Sequence, residues 1–205
     1  MPEEGVMKIY PPATYRPLST TSGGVDDFMT FFRGLRSRWV KVEFLQEYDE
    51  SGFAGYEAFK RGDHVEAARL VRDQVMNQDE IYSHAREREV AMIRLRICQL
   101  PLTSYLIHYE FAAYLADIEQ GEDIRFIDAS DVGRMFAETN ISDFVLFDDR
   151  VVIALIYDLQ TSTLEEARLV EDPALVKAYA GVADRLIQES VPMLESRIYL
   201  DATAS

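Results

Sequence analysis

VAMIRLRICQLPLTSYLIHYEFAAYLADIEQGEDIRFID at residues 90–128 and ISDFVLFDDRVVIALIYD at residues 141–158 decide the fold. In the first stretch Ile93, Leu95 and Ile97 alternate with Arg94, Arg96 and Cys98, a period of two that marks a strand with one apolar face. Pro101 cannot continue a ladder, and Thr103 or Ser104 can accept a hydrogen bond from the free amides of a following helix. From Ser104 to Gln120, Tyr105, Leu106, Tyr109, Ala112, Ala113 and Ala116 recur at three and four, which predicts a helix with a narrow apolar stripe. Gly121 supplies a left-handed stop, and Asp123 to Asp128 alternates again as a strand. A strand, a crossover helix and a second strand form a parallel pair with a right-handed connection.

The second stretch holds two more β-rich runs, 143–147 and 151–157, joined at Asp148-Asp149-Arg150, a break of hairpin length without a glycine. The expected fold is therefore α/β: a single domain with a mixed, partly parallel sheet flanked by helices. Its sheet is predicted to contain residues 39–46, 91–99, 123–127, 143–147 and 151–157.

Outward from this centre, FMTFFRGL from Phe28 has the spacing of a short apolar helix. Arg38 to Tyr48 alternates, with Trp39, Lys41, Glu43 and Leu45 on one side and Val40, Val42 and Phe44 on the other, as in a strand with both faces partly covered. Asp63 can cap a long helix reaching about Arg88. Leu164 to Val170 reads as an edge strand, and Asp172-Pro173 opens a final amphipathic helix that Pro192 closes. Residues 1–24, rich in Pro, Ser, Thr and Gly, read as a flexible, disordered tail; residues 25–195 form the domain, and 196–205 a C-terminal tail.

The chain has 205 residues, 48% apolar and 28% charged, enough for one substantial core. It lacks an apolar run of membrane-spanning length, and its acidic, proline-broken start is unlike a signal peptide, which predicts a cytoplasmic protein. A lone cysteine, Cys98, can close neither an internal disulfide nor a zinc site. Acidic residues outnumber basic ones by 20 to 7 in residues 101–205 and by 16 to 14 before them. Such a field repels phosphate backbones and anionic lipid, so neither direct nucleic-acid nor membrane binding is expected; a basic protein partner is, unless the charge serves solubility alone.

Motifs for chemistry are few. His64, His84 and His108 lack metal-site spacing, and Gly-rich phosphate loops and nucleophile elbows are absent, so no cofactor, metal or catalytic residue is assigned. Glu110 lies on the helical wheel within about 40 degrees of Thr103, Tyr114 and Asp117. It is expected either to tie the helix to the sheet through Arg94 or Arg96, or to receive a cation in a pocket with Arg94, Arg96 and Asp128. Open α/β sheets hold ligands at their strand ends, which here are Pro101, Asp128 and Asp148.

RLRICQLPLTSYLIHYEFAAYLADIEQGEDIRFI, DFVLFDD, ALIYD, ARLVEDPALVKAY and the earlier FMTFFRGLRSRWVKVEFLQEYD together resemble the actinobacterial domain-of-unknown-function family DUF6879 over roughly residues 26–195. That family is encoded beside helix-turn-helix regulators of the Xre type; the resemblance implies a setting and no reaction. The positions of Tyr105, Glu110, Gly121, Asp148 and Asp149 are filled as in the family, while 77–89 and 130–140 depart from it. One half of a phospholipase D-like domain is a fainter likeness. With Asp148 at that family's aspartate, Ile141 stands where its histidine should be and Asp143 where its lysine should be, so phosphodiester hydrolysis is not expected.

Three functions follow. The leading one is a non-catalytic regulatory or protein-binding module acting with a DNA-binding regulator. Its basic, helix-turn-helix partner would meet Glu122, Asp123, Asp143, Asp148, Asp149, Glu165 and Glu166, with Glu171 and Asp172. A small-molecule sensor is second, and an enzyme with an unrecognised carboxylate site third. Oligomeric state is unspecified.

Overall fold

A computed structural model describes residues 16–18, 22–132 and 142–204. Among them eight strands form one sheet in the order β1-β7-β6-β5-β2-β3-β4-β8. The strands are β1 (Arg16–Leu18), β2 (Arg38–Glu43), β3 (Ala91–Cys98), β4 (Asp123–Asp128), β5 (Phe144–Phe147), β6 (Val151–Tyr157), β7 (Leu164–Val170) and β8 (Val191–Pro192). The central β2, β3 and β4 run parallel, and every other neighbour is antiparallel. All five predicted strands thus share one mixed sheet with β1, β7 and β8; β7, expected at an edge, lies inside it, because β1 pairs along its outer side.

Helices cover both faces. On one, α1 (Ser22–Arg33), α2 (Ala54–Lys60), α3 (His64–Met76), α4 (Asp79–Glu87), α5 (Phe111–Glu119) and α7 (Arg197–Thr203) accompany Trp39, Met92, Phe126, Val145 and Ile153 of the strands. On the other, α6 (Pro173–Glu189) packs Val176, Tyr179, Ala183 and Leu186 against Val40, Val42, Leu95 and Ile97. The alternation seen in β2 and β3 therefore separates two buried faces. The one bearing Trp39, Lys41, Glu43, Arg94 and Arg96 is where charge enters the core.

Local chemistry accounts for the element ends. Asp63 accepts from the Glu66 amide to open α3, and Asp172 accepts from Ala174 and Leu175 to open α6. Thr103 Oγ1 takes the Leu106 amide, and Gly121 ends α5 at φ 102°. The hairpin closes without glycine because Asp148 and Asp149 adopt φ 51° and 54°, and Arg150 N–H donates to Phe147 at 2.9 Å. Short polar side chains tolerate this left-handed pair better than other non-glycine residues.

Four expectations are corrected. The helix from Asp63 breaks at Asn77-Gln78, and α4 leaves in a direction that carries Tyr82 to Asp117. The strand from Arg38 stops at Glu43, because the Phe44 and Leu45 amides turn to the Asp143 carboxylate instead of a ladder. Residues 16–18, assigned to the tail, pair with Ala167–Leu169 of β7, and 22–24 belong to α1. The stretch assigned to a C-terminal tail holds α7, capped by Ser196, with Ile198, Tyr199 and Ala202 against the core. No helix among the described residues is long and apolar enough to cross a membrane.

Candidate functional site

Five acidic side chains, Glu43, Glu110, Asp117, Glu122 and Asp143, are buried with the guanidinium of Arg96 on the α5 face of the sheet. Charge placed in a core must be paired or neutralised. Arg94 does most of the pairing: Nε meets Glu122 at 2.8 Å, Nη1 meets Glu43 at 3.3 Å, and Nη2 meets Asp117 at 3.5 Å. Glu43 gathers Lys41 Nζ at 2.5 Å on Oε1, with the Tyr114 hydroxyl at 2.7 Å and Arg96 at 3.7 Å on Oε2. Burial alone pushes the Glu43 carboxyl up, but Lys41, Arg94 and Arg96 outweigh it and hold the group below the usual carboxylate range.

Deeper in, Arg96 is fully enclosed, with its guanidinium 5.3 Å from the Tyr48 ring centroid. Tyr48 donates to Asp143. Burial keeps Asp143 and Glu122 above the ordinary carboxylate values. Arg96 Nε and Nη2 and the Tyr105 hydroxyl have no hydrogen-bond partner among the described residues.

Over this network lies an open cleft of about 270 Å³, lined by Lys41, Glu43, Glu50, Arg94, Tyr109 and Glu110. It sits where β2 ends, between the loop after β2, the last turns of α3, and α5. Tyr109 donates to Glu50 at 2.7 Å on its rim. Glu110 is 6% exposed, yet among the described residues its carboxyl makes no hydrogen bond or ion pair. Burial pushes it up to about 8, with Glu43 and Glu50 adding to the rise and Arg96 and Arg94 opposing it. It closes a π turn, Leu106–Glu110, and such turns often mark functional positions.

The expected ion pair from Glu110 to Arg94 or Arg96 is therefore not made. The wide turn adds a residue between Thr103 and Glu110, so wheel angles counted at 3.6 residues per turn fail across it. Arg94 is saturated by Glu43, Asp117 and Glu122 instead. Arg94 and Glu110 do line one cleft, and Arg96 lies beneath it. Asp128 does not join them: it accepts from Ser130 and lines a separate depression with Pro101 and Arg197. Asp148 is held at the opposite end of β2, against residues 36–38.

Two of the residues expected on an acidic docking surface are not on the surface. Glu122 and Asp143 are 3% exposed and committed to Arg94 and Tyr48. Asp149 pairs with Arg38, Asp123 with Arg125 and Glu166 with Arg168. Glu165, Glu171 and Asp172 are exposed, the last capping α6. Of the histidines, His64 and His108 stack at 4.2 Å, and no group of three metal-ligating residues occurs among the described residues.

The site residues missed from sequence are Glu43, Lys41, Tyr48 and Tyr82. Their signal was a strand with covered faces carrying Lys41 and Glu43 on the side of Trp39, opposite a neighbour carrying Arg94 and Arg96: charges on a covered face must meet.

Sequence comparison supplies the family. The profile of a domain of unknown function, DUF6879, matches residues 26–196. The chain belongs to the DUF6879 family. No curated protein matches it. Among solved structures, this DUF6879 domain is similar to Nuc of Salmonella typhimurium, a phospholipase D family member. The TM-score is 0.50 at 8% identity, covering 87% of this chain and 97% of Nuc. NucT from Helicobacter pylori follows at TM-score 0.45 and 7% identity, covering 82% of this chain and 89% of NucT. The archaeal chromatin protein TrmBL2, described as showing a novel mode of DNA binding, gives 0.42 at 10% identity, with 82% of this chain covered. The chain spans half the length of TrmBL2. The likeness to Nuc shows a shared fold only. Ile141 lies outside the described residues, and Asp143 is the buried acceptor of Tyr48, Phe44 and Leu45.

Proposed function

We propose that this DUF6879 domain is a small-molecule-binding module that takes a cationic group, such as an ammonium or amidinium, against Glu110. The observation that carries it is a carboxyl nine-tenths buried, lining an open cleft and lacking any partner. A carboxyl reached from an open cleft and left unpaired by the described residues can take a cationic donor, which supplies both hydrogen bonds and charge. The surrounding balance agrees: five buried acids face Arg94, Arg96 and Lys41, whose charges are already engaged. In the setting that the family resemblance implies, ligand occupancy would be passed to a helix-turn-helix regulator. The alternative of a basic partner docking on an acidic surface has the charge excess behind it but has lost Glu122, Asp143 and Asp148 as contacts.

Calorimetry with n-butylamine tests the reading. The probe stays cationic across neutral pH, whereas Glu110 must ionise to receive it, so binding tightens from about pH 6.5 to about pH 8.5. The gain is roughly twentyfold for a carboxyl titrating near 8. Glu110→Gln abolishes both the binding and its pH dependence. Binding that is equal in E110Q, or no binding at either pH, overturns the proposal.

A further inference from the structure

Beside the cleft, on the same face of the sheet, is a second chamber of about 300 Å³ with a different lining. Trp39, Met92, Val145 and Ile153 form its floor, and Phe28 and Phe32 of α1 one wall. Lys41, Arg94 and Gln78 line both spaces, so the two adjoin through a shared wall. Along β2 the order is Trp39, Lys41, Glu43, about 13 Å from first to last at strand spacing. One end of this path is carboxylate and hydroxyl; the other is mostly aromatic and aliphatic, with Glu122 and Tyr82 among its lining.

A second orphan marks the apolar end. Trp39 is 5% exposed, and its indole N–H has no hydrogen-bond partner among the described residues. A buried indole N–H ordinarily finds an acceptor. Of the cations between the chambers, Lys41 holds Glu43 at the acidic end, while Arg94 keeps Glu122, which lines the second chamber, and its guanidinium lies 5.9 Å from the Trp39 ring.

Resting on the cation-binding reading above, we infer that the ligand is amphipathic, an amine with its charged head at Glu110 and an apolar chain or ring running past Lys41 over Trp39. A purely polar cation would leave the chamber and its indole unused. An apolar body gains the transfer free energy of each methylene it buries there.

The test is a homologous series, methylamine to hexylamine, measured by calorimetry and by the fluorescence of Trp39, the sole tryptophan. Affinity should rise about three- to fourfold for each methylene that enters the chamber. The emission should shift only with the members long enough to reach it. Ile81→Phe and Leu155→Phe narrow the chamber from partly exposed positions, so either should end the rise at a shorter amine while leaving methylamine affinity unchanged. Amines that bind through Glu110 with no length dependence and no change at Trp39 overturn this inference and leave the head-group reading intact. Failure of every amine to bind overturns both.

Discussion

The Asp148 carboxylate accepts the Ser37 backbone N–H at 2.8 Å across 111 residues of chain. It also takes the Arg36 amide at 3.0 Å, the Arg38 amide at 3.1 Å and the Ser37 hydroxyl at 2.8 Å. One side chain in the hairpin turn thus receives the amides that lead into β2, fixing the central strand to the β5–β6 pair. Burial pushes the Asp148 carboxyl up, but the hydrogen bonds from Ser37, Arg36 and Arg38 outweigh it and hold the group low.

Replacing this carboxylate should therefore unseat the start of β2. Asp148→Ala is expected to cost about 1–3 kcal/mol, the range for leaving such donors unmet. A depressed carboxyl contributes stability above its unfolded pKa and loses it as pH falls through the folded one. Hence wild type should lose stability faster than Asp148→Asn as pH drops from about 5 to about 2. Urea midpoints at each pH measure both effects. Reversal of Asp148 to lysine tests structure rather than docking.

Gly55 of α2 lies against the backbone of α3. An added Cβ would stand 3.1 Å from the Tyr109 ring and 3.2 Å from the Val71 backbone nitrogen. Alanine would ordinarily favour a helix by up to about 1 kcal/mol over glycine. Here overpacking should win, so Gly55→Ala destabilises by about 1–3 kcal/mol, read as a lowered denaturation midpoint. Displacement of the Tyr109 ring would also loosen its bond to Glu50 on the cleft rim.

Most of the fold was legible because it is written in short-range pattern. Ile93, Leu95 and Ile97 announce β3, Gly121 ends α5, and Asp63 and Asp172 cap their helices with the side chains their positions require. The site was half legible. Arg94 and Glu110 could be named as cleft residues from a strand face and a helical wheel. The partners of Arg94 could not: Glu43 lies 51 residues before it and Glu122 28 after it, and periodicity carries no information at that range. The π turn defeated the wheel, since an inserted residue leaves no mark in apolar spacing. Glu122 and Asp143 were expected on the surface for a related reason. Net charge counts Glu122 and Asp143 as if both were wet, and only tertiary packing buries them.

Glu43 is the anion around which Lys41, Arg94 and Arg96 are arranged. Glu43→Gln keeps the shape and removes the charge, leaving Arg96 enclosed without a counter-ion. Breaking a buried pair from one side typically costs about 3–5 kcal/mol, and that loss is expected here. Adding Arg96→Met should cost less than the sum of the two single changes, because the second removes the charge that the first stranded. Chemical denaturation of the four proteins of this cycle measures the coupling, and simple additivity would show that Glu43 and Arg96 act independently.

Glu110 should give the domain an unusual loss of stability in alkali. Facing it are Glu43 from β2, Arg94 and Arg96 from β3, Glu50 from the loop after β2, and Tyr105 and Tyr114 from its own helical segment. With burial added, the balance favours the neutral acid, and the folded-state pKa near 8 lies above the ordinary 4.5. Between those values the folded state binds more protons than the unfolded one, so raising the pH through this window lowers stability. From pH 6 to pH 9 the decline from this group alone is roughly 2–3 kcal/mol before structural relaxation reduces it. Glu110→Gln, a neutral isostere, should match wild type only below about pH 4.5, already exceed it at pH 6 and exceed it further at pH 9. Denaturant midpoints for the two proteins at about pH 6, 7.5 and 9 isolate the effect, since every other titrating group is common to both. Parallel curves would mean that Glu110 ionises in the folded domain as readily as in water.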